Sequence, residues 1–355
     1  MERSLKSTLL KAVAPAVIGV AVVVWMFVSD FNPKAWQLLK FDSRTILGLV
    51  IALIFVFGRD WGLAWRFRTI TDCTLSWRRA FRVDVMCAFT SAVTPSAVGG
   101  SALAIFYLNR EGVNVGRATA LTLTTLLLDE MFFVVFCPLL MLLVPHSEIF
   151  GQTHNYALLA GIEWVFWLVY AGIVIWAAIL YLGILARPQW VEYAISRLFR
   201  LRWLRRWEKN AREMTTNLRE TSVWIRGRKL RWWAEVFGAT TVSWFSRYFV
   251  VNALFWAFVP AASGLLVFAR QFVVWVVLMV SPTPGGSGLS EYIFTNYYGD
   301  LIGDVSVALV LATIWRILSY YIYLIGGAVL APSYFRKNAI TDKSASVPYG
   351  DGSQG

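Results

Sequence analysis

Two short stretches, TPSAVGGSAL at 94–103 and TPGGSGL at 283–289, each interrupt a long run of apolar residues. Proline removes a helix hydrogen bond and glycine adopts non-helical backbone readily, so each stretch is expected to break a helix. Inside a bilayer, broken backbone is tolerated only where it is buried in protein or lines a cavity. The sequence therefore predicts two halves of similar design, each containing one broken helix.

The composition is that of a membrane protein. Of the 355 residues, 58% are hydrophobic and only 15% are charged, whereas soluble domains carry about a quarter charged residues. The 18 Trp and 24 Phe suit interfacial aromatic belts and lipid-facing surfaces. The apolar run from 12 to 28 is long and has no convincing small-residue cleavage site, so we interpret it as a retained first helix.

The sequence offers little for metal, thiol or nucleotide chemistry. Cys73, Cys87 and Cys137 show no CxxC spacing, which argues against a disulfide framework or a thiolate metal site. The only histidines, His146 and His154, share one polar loop, and no GxxxxGK[ST] phosphate-binding loop occurs. We therefore expect no cofactor, no metal site and no ATP-driven activity.

The apolar stretches predict six full spans and two broken hairpins. Segments of about 20 residues are long enough to cross a bilayer. The six spans are predicted near 10–29, 44–64, 117–144, 158–185, 235–260 and 304–332. Two further apolar segments, 81–108 and 263–299, contain the breaks.

The charge distribution predicts the sidedness of these segments. Segments 59–82 and 187–231 are strongly basic and are therefore expected in the cytoplasm. Parity then requires hairpin 81–108 to enter and leave from the cytoplasm, and hairpin 263–299 from outside. The predicted fold is an all-α polytopic membrane protein with six transmembrane helices and two re-entrant hairpins, forming an inverted pseudo-repeat with both termini cytoplasmic.

We predict a single transmembrane domain over 1–336. Within it, segment 187–231 combines an apolar stripe at helical spacing with most of the net charge of +12. A basic amphipathic helix between spans is expected to contact anionic headgroups rather than nucleic acid. The polar tail 337–355 is expected to be disordered.

The breaks are candidate substrate-binding sites. Broken helices at corresponding places in two halves indicate a transporter's site, and a half-helix N-terminus with free N–H donors suits phosphate. The alternative is that the breaks are tight turns buried in protein. The candidate residues are Thr94, Pro95, Gly99, Gly100, Ser101, Pro284, Gly285, Gly286, Ser287 and Gly288.

Five ionisable residues are predicted at membrane depth, where such residues are costly and often functional. Asp129, Glu130, Arg247 and Arg316 lie within predicted spans, and Glu291 follows the second break. In one interpretation Glu291, Arg247 and Arg316 bind substrate, while Asp129, Glu130 and Glu291 exchange protons. In the other, the carboxylates form internal ion pairs with Arg247 and Arg316.

The order of these motifs resembles a known family. The matching residues are TPSAVGGSALAIFYLNREGVNVGRA at 94–118, SPTPGGSGLSE at 281–291, Trp315-Arg316 and Gly326-Gly327. Over about 10–335 they resemble the transmembrane region of the lysylphosphatidylglycerol synthase/flippase family, also called flippase-like or UPF0104 proteins. The resemblance implies translocation of aminoacylated or otherwise modified lipids between leaflets.

The chain departs from that family in two respects. Family members often place an arginine between the acidic residues of the fourth hydrophobic segment, whereas Asp129 and Glu130 are adjacent here. Family synthases also append a soluble aminoacyl-transfer domain, and this chain ends soon after its last predicted span. We therefore expect translocation without aminoacylation, acting on a lipid made by a separate enzyme.

The predicted function is translocation of an anionic phospholipid or a polyprenyl-phosphate-linked lipid across a bacterial inner membrane, passive or coupled to protons. One alternative is a membrane enzyme that acts on polyprenyl-phosphate or lipid-linked sugars, with Glu291 or Asp129 as base or metal ligand. Another is a structural assembly protein. The sequence does not identify which lipid is moved, the direction of transport, the coupling ion or whether the protein forms homo-oligomers.

Overall fold

A computed structural model describes residues 42–94, 98–150, 156–186, 193, 197, 222–283 and 285–331, and within them the regular secondary structure is helical. The helices are α1 Ser43–Ile70, α2 Trp77–Val93, α3 Val98–Arg110, α4 Val115–Leu143, α5 His146–Ile149, α6 Tyr156–Leu180, α7 Leu230–Phe258, α8 Gly264–Leu278, α9 Leu289–Tyr297, α10 Gly299–Ile302 and α11 Val305–Arg316. Two π-helical segments, Tyr181–Ala186 and Ile317–Tyr321, continue α6 and α11. Helix α11 then extends through 322–331.

Helices α1 and α7 form a closely packed antiparallel pair. A Cβ on Gly58 would lie 2.9 Å from Ser246 Oγ, and a Cβ on Gly62 would lie 2.9 Å from Ala239 O. These glycines form a GxxxG pattern, in which small residues let two membrane helices approach closely. The contact brings the middle of α1 against the middle of α7.

One end of the bundle gathers basic side chains, and we call it the basic end. Asp72, after α1, accepts hydrogen bonds from Arg228 at 2.6 and 2.7 Å and lies 3.4 Å from Arg117. Arg226 donates to Ala186 O over 3.2 Å. These contacts place the end of α1, the start of α4, the end of the α6 π-segment and the approach to α7 together.

The opposite end is held by Arg270, which is 1% exposed. Arg270 pairs with Asp300 and donates to Tyr297 O over 3.0 Å and to Glu148 O over 2.8 Å. Tyr297 in turn donates to Ile149 O. This clamp ties the turn after α4 to α8, α9 and α10.

The two broken segments form hairpins that open at opposite ends of the bundle. Helices α2 and α3 meet at the basic end, where Arg82 donates to Glu111 over 3.4 Å. Helices α8 and α9 meet at the Arg270 clamp. The opposite openings of the hairpins agree with the prediction that 81–108 and 263–299 enter the bundle from opposite sides. Their re-entry into a membrane remains a prediction.

Among the described residues, four helices are long and apolar enough to cross a membrane. They are Ser43–Ile70, Val115–Leu143, Leu159–Ala186 and Val305–Ala331. Helix α7 has 29 residues, which corresponds to about 43 Å at 1.5 Å per residue, but it is not among these four. The predicted span 10–29, most of the surface segment 187–231 and the tail 337–355 lie outside the described residues.

The segment 59–82, which was predicted to be cytoplasmic, begins inside a long helix. Helix α1 continues to Ile70, so Arg59 and Arg66 are helical and buried rather than exposed at the basic end. Arg66 pairs with Asp129 of α4, whereas Arg59 pairs with the adjacent Asp60 and lies over the Tyr323 ring. Sequence spacing does not reveal partners on distant helices. Arg78, Arg79 and Arg82 belong to the first turns of α2.

Candidate functional site

The two breaks lie against each other inside the bundle. The N–H of Gly285 donates to Thr94 O over 3.4 Å, and Tyr320 donates its hydroxyl to Ala92 O over 3.1 Å. Gly285 has φ +58°, and a Cβ built there would overlap the Tyr320 ring and lie 3.1 Å from Ala92 O. A glycine is therefore required at this contact, both by backbone conformation and by space.

A buried ion pair between Glu291 and Arg316 closes the second break. Arg316 Nε donates to Glu291 Oε1 over 2.9 Å, and the two residues are 5% and 1% exposed. Arg316 Nη2 donates to Gly285 O over 3.1 Å and to Ser287 Oγ over 3.4 Å. Arg316 thus fixes the backbone of the break as well as the charge of Glu291.

Glu291 also caps helix α9. Its Oε2 accepts hydrogen bonds from Gly288 N and from Ser290 Oγ, both at 2.8 Å. The N–H of Gly286 donates to Thr283 O over 3.0 Å. A glutamate three residues beyond the N-cap reaches back to the cap N–H, so the protein's own carboxylate occupies donors that the sequence assigned to a phosphate.

The structure describes only some of the other residues predicted at the two breaks. Pro95 and Pro284 lie outside the described residues, and Gly99 and Ser101 belong to α3 without described side chains. Gly100 lies against α2, and a Cβ built on Gly100 would overlap the backbone of α2 and a serine hydroxyl of that helix. The substrate-binding role of all these residues remains a prediction.

A second group of ionisable side chains, which we call the central cluster, lies at mid-height of the bundle. Its side chains come from α1, α2, α4, α7 and the 322–331 segment, whereas the second break lies between α8 and α9. Its members are Arg59, Asp60, Arg66, Asp84, Asp129, Glu130, Arg247 and Tyr323.

Asp129 pairs with Arg66, and not with Arg247 or Arg316 as one interpretation of the sequence proposed. Arg66 Nη1 donates to Asp129 Oδ1 over 2.6 Å, and Trp244 Nε1 donates to the same oxygen over 2.9 Å. The expected partner was wrong because Arg66 had been counted in the basic segment 59–82 and not among the residues within spans. The predicted ion pairing of Arg316 is present, with Glu291 as its partner.

Asp60 is held by the last helix. Tyr323 donates its hydroxyl to Asp60 at 2.9 and 3.1 Å from the two carboxylate oxygens. The Arg59 guanidinium lies 3.9 Å from the centre of the Tyr323 ring, with Nε 3.6 Å from Asp60. These contacts place a cation, a carboxylate and a phenol together inside the bundle.

Three members of the central cluster have no ion-pair partner within 4.0 Å among the described residues. Arg247 lies 4.7 Å from the Trp244 ring centre and 4.3 Å from that of Trp275, and its Nε has no hydrogen-bond partner. Asp84 is 2% exposed, and its Oδ2 has no partner. The Oε2 atom of Glu130 is also unpartnered.

One helix connects the break with the central cluster. Arg316 ends α11, Tyr320 lies in the π-helical segment and Tyr323 follows it. Short π-helical segments within helices are often found at functional sites. A change in the winding of this segment would therefore move Tyr323 relative to Arg316.

The sequence reasoning missed Arg59, Asp60, Arg66 and Asp84. Asp84 lies inside the apolar segment 81–108, and an ionisable residue at that depth is itself a signal of function. Arg59 and Asp60 lie within the GxxxG stretch of α1, which marks a helix interface rather than a loop. In the part of the chain that the structure describes, no group of three or more His, Cys, Asp or Glu residues is arranged to hold a metal ion.

Comparison with known proteins places the chain in a family. The model of the lysylphosphatidylglycerol synthase TM region matches residues 12–327. The chain belongs to this family. The match confirms the resemblance drawn from the break motifs and identifies a membrane protein.

A full-length relative and a search of solved structures complete the comparison. A "UPF0104 membrane protein" from Archaeoglobus fulgidus is 23% identical over 342 residues, covering 91% of this chain and 98% of the relative. No solved structure matches the chain significantly.

Proposed function

We propose that this protein translocates a polar lipid between the leaflets of a bilayer. The observation that carries the proposal is the contact between two broken hairpins that open at opposite ends of the bundle, where Gly285 N donates to Thr94 O over 3.4 Å. A carrier needs access from both faces to a shared central site. Two hairpins that meet mid-bundle from opposite ends supply that arrangement.

The charged interior supports a polar cargo. Ionisable side chains within spans are costly and usually mark a substrate or ion pathway. The central cluster and the Glu291–Arg316 pair place such groups at mid-height, joined by the helix that carries Arg316 and Tyr323. In the proposed mechanism the headgroup passes along these groups while the acyl chains stay in the surrounding lipid.

The topology proposed with this function has six spans and two re-entrant hairpins in a bacterial inner membrane. The basic end, with Arg117, Arg226 and Arg228, faces the cytoplasm by the positive-inside rule. Both termini then lie in the cytoplasm. The proposed partners are membrane lipids and a separate enzyme that modifies them.

Three acidic residues were predicted from the sequence to exchange protons, and we propose that Glu130 is the one that does so. The carboxylates of Asp129 and Glu291 are held by arginines at 2.6 and 2.9 Å, whereas Glu130 has an unpartnered oxygen and no arginine within 4.0 Å among the described residues. A carboxylate without a fixed counter-charge can take up a proton without breaking an ion pair.

We expect purified protein in liposomes to move one class of headgroup-labelled lipid. The labelled lipids are phosphatidylglycerol, its lysyl ester and a polyprenyl-phosphate sugar, followed by a membrane-impermeant quencher with and without a pH gradient. The proposal predicts protein-dependent access of one label from the inner leaflet. Retention of every label in its leaflet by folded protein would contradict it, and chemical turnover of a lipid would favour the enzyme alternative.

A further inference from the structure

Arg247 is a cation that no carboxylate among the described residues pairs with. It lies near the middle of α7, and no carboxylate of the described residues lies within 4.0 Å of it. Its Nε has no hydrogen-bond partner. An arginine stays protonated in proteins, and a charge within a span is retained where it pairs or serves a pathway. The side chain is therefore poised for a partner that comes from outside the chain.

The surroundings of Arg247 orient its guanidinium for an incoming anion. The rings of Trp244 and Trp275 lie 4.7 and 4.3 Å from it, which holds the guanidinium by its faces. Stacking on aromatic faces leaves the N–H edge of the guanidinium available. That edge matches the spacing of two oxygens on a carboxylate or phosphate.

Arg59 supplies a second guanidinium at the same site. Gly58 packs closely on Ser246, so the residues that follow them, Arg59 and Arg247, lie on facing stretches of α1 and α7, and the charge of Arg59 acts on Arg247. Arg59 is 9% exposed and lies over the Tyr323 ring, with its Nε 3.6 Å from Asp60 Oδ1. Two cations held in reach of each other repel, and an anion between them would remove that repulsion.

Three carboxylates have charges that act on Arg59 or Arg247: Asp60, Asp84 and Asp129. Asp60 pairs with Arg59 over 3.6 Å and accepts a hydrogen bond from the hydroxyl of Tyr323, and Asp129 is paired with Arg66. Asp84 has no ion-pair partner within 4.0 Å among the described residues, and its Oδ2 accepts no hydrogen bond there. The charges that act on Asp84 come from Asp60, Arg59, Arg247 and Arg66, so Asp84 interacts with both Arg59 and Arg247 without an ion-pair contact to either.

We propose that Arg59 and Arg247 form a binding site for a phosphodiester group, and that Asp84 competes with this ligand for the two guanidinium groups. A phosphodiester has two non-ester oxygens, so each guanidinium can bind one. The proposal deepens the proposed function, on which it rests for the source of the ligand: a lipid headgroup halfway across the bilayer. Free phosphate compounds share the same chemistry.

The test is equilibrium binding to the full-length protein in a nonionic detergent, which requires no transport. The probes are short-chain phosphatidylglycerol, diacylglycerol of equal chain length, glycerol phosphate and inorganic phosphate. We expect saturable binding of phosphatidylglycerol and none of diacylglycerol. Equal binding of glycerol phosphate or inorganic phosphate would support the anion site and overturn its assignment to a lipid headgroup.

Three variants localise the site. Arg247→Gln is expected to weaken binding by at least about tenfold, because hydrogen bonds to charged groups are the stronger ones. Arg44→Gln is the matched control: Arg44 also lies over a tryptophan, Trp256, at 4.9 Å with Nε unpartnered, but at the start of α1. Asp84→Asn is expected to tighten binding by about threefold, since it removes the competing charge.

Unchanged binding in Arg247→Gln, or an equal loss in Arg44→Gln, would overturn the proposal. Weaker binding in Asp84→Asn would also overturn it, because the carboxylate would then help to hold the ligand. If Arg247→Gln does not fold, Asp84→Asn decides, since loss of a merely structural carboxylate does not tighten binding. Binding through Arg247 without translocation would refute the proposed function alone, and translocation without such binding would refute this inference alone.

Discussion

Replacing Arg316 with glutamine is expected to lower the free energy of unfolding by about 3–5 kcal/mol and to abolish lipid movement. The change leaves Glu291 buried without its counter-charge, which is the costly way to break a buried ion pair. It also removes donors to Gly285 O and Ser287 Oγ, so the second break loses its anchor. Unfolding is followed by tryptophan fluorescence in detergent, and translocation by the liposome assay.

A double variant separates stability from function at this ion pair. Arg316→Met combined with Glu291→Met removes both charges, which restores much of the stability because no uncompensated charge remains. Part of the loss persists, since Glu291 also accepts from Gly288 N. We expect this folded double variant to remain inactive. Wild-type translocation by it would show that the pair only stabilises the bundle.

Replacing Arg270 with glutamine is expected to cost less, about 1–3 kcal/mol, because Asp300 is exposed and the main loss is the hydrogen bonds that the buried Arg270 guanidinium donates. Arg270 also donates to Glu148 O and Tyr297 O, which orders the turn after α4 and the end of α9. The same fluorescence measurement of unfolding reports the loss.

The functional consequence of changing Arg270 is expected to differ from that of changing Arg316. The Arg270–Asp300 pair lies at the end of the bundle, away from the contact between the breaks. A folded double variant, Arg270→Met with Asp300→Met, is therefore expected to translocate lipid at close to the wild-type rate. Complete inactivity of this folded double variant would place the clamp within the pathway.

The spans and breaks could be predicted because their signals are local. Runs of apolar residues as long as a bilayer is thick predicted α4 and α6, and proline with paired glycines predicted the breaks at 94 and 285. The helix-breaking residues act on the backbone next to them, so the sequence suffices. The pairing of Glu291 with Arg316 was also among the interpretations that the sequence offered.

The partners within the central cluster could not be predicted because they depend on packing between distant helices. Arg66 and Asp129 are 63 residues apart, and Tyr323 and Asp60 are 263 apart. A positive-inside argument counts basic residues near the ends of spans, so it treated Arg59 and Arg66 as part of a cytoplasmic basic segment. The glycine contacts between α1 and α7 reveal instead that this part of α1 is an interface.

The capping role of Glu291 was also missed, although a local signal for it exists. Glu291 follows Gly288 by three residues, which is the spacing of a capping box. The sequence interpretation gave the free N–H groups of this helix start to a phosphate. In the structure Glu291 accepts from one of these groups, Gly288 N, and Ser290 N donates to Gly286 O. Arg247, which has no ion-pair partner within 4.0 Å among the described residues, lies instead in the central cluster.

The contact between the two breaks is tested most directly by comparing translocation rates of Gly285→Ala and Gly299→Ala in liposomes. A Cβ at Gly285 meets Tyr320 and Ala92 at φ +58°, whereas a Cβ at Gly299 meets nothing within 4 Å. We expect Gly285→Ala to slow translocation by at least about tenfold, given about 1–2 kcal/mol of left-handed strain besides the overlap, and Gly299→Ala to match the wild type. Equal rates for the two variants would contradict the claim that the breaks form the pathway.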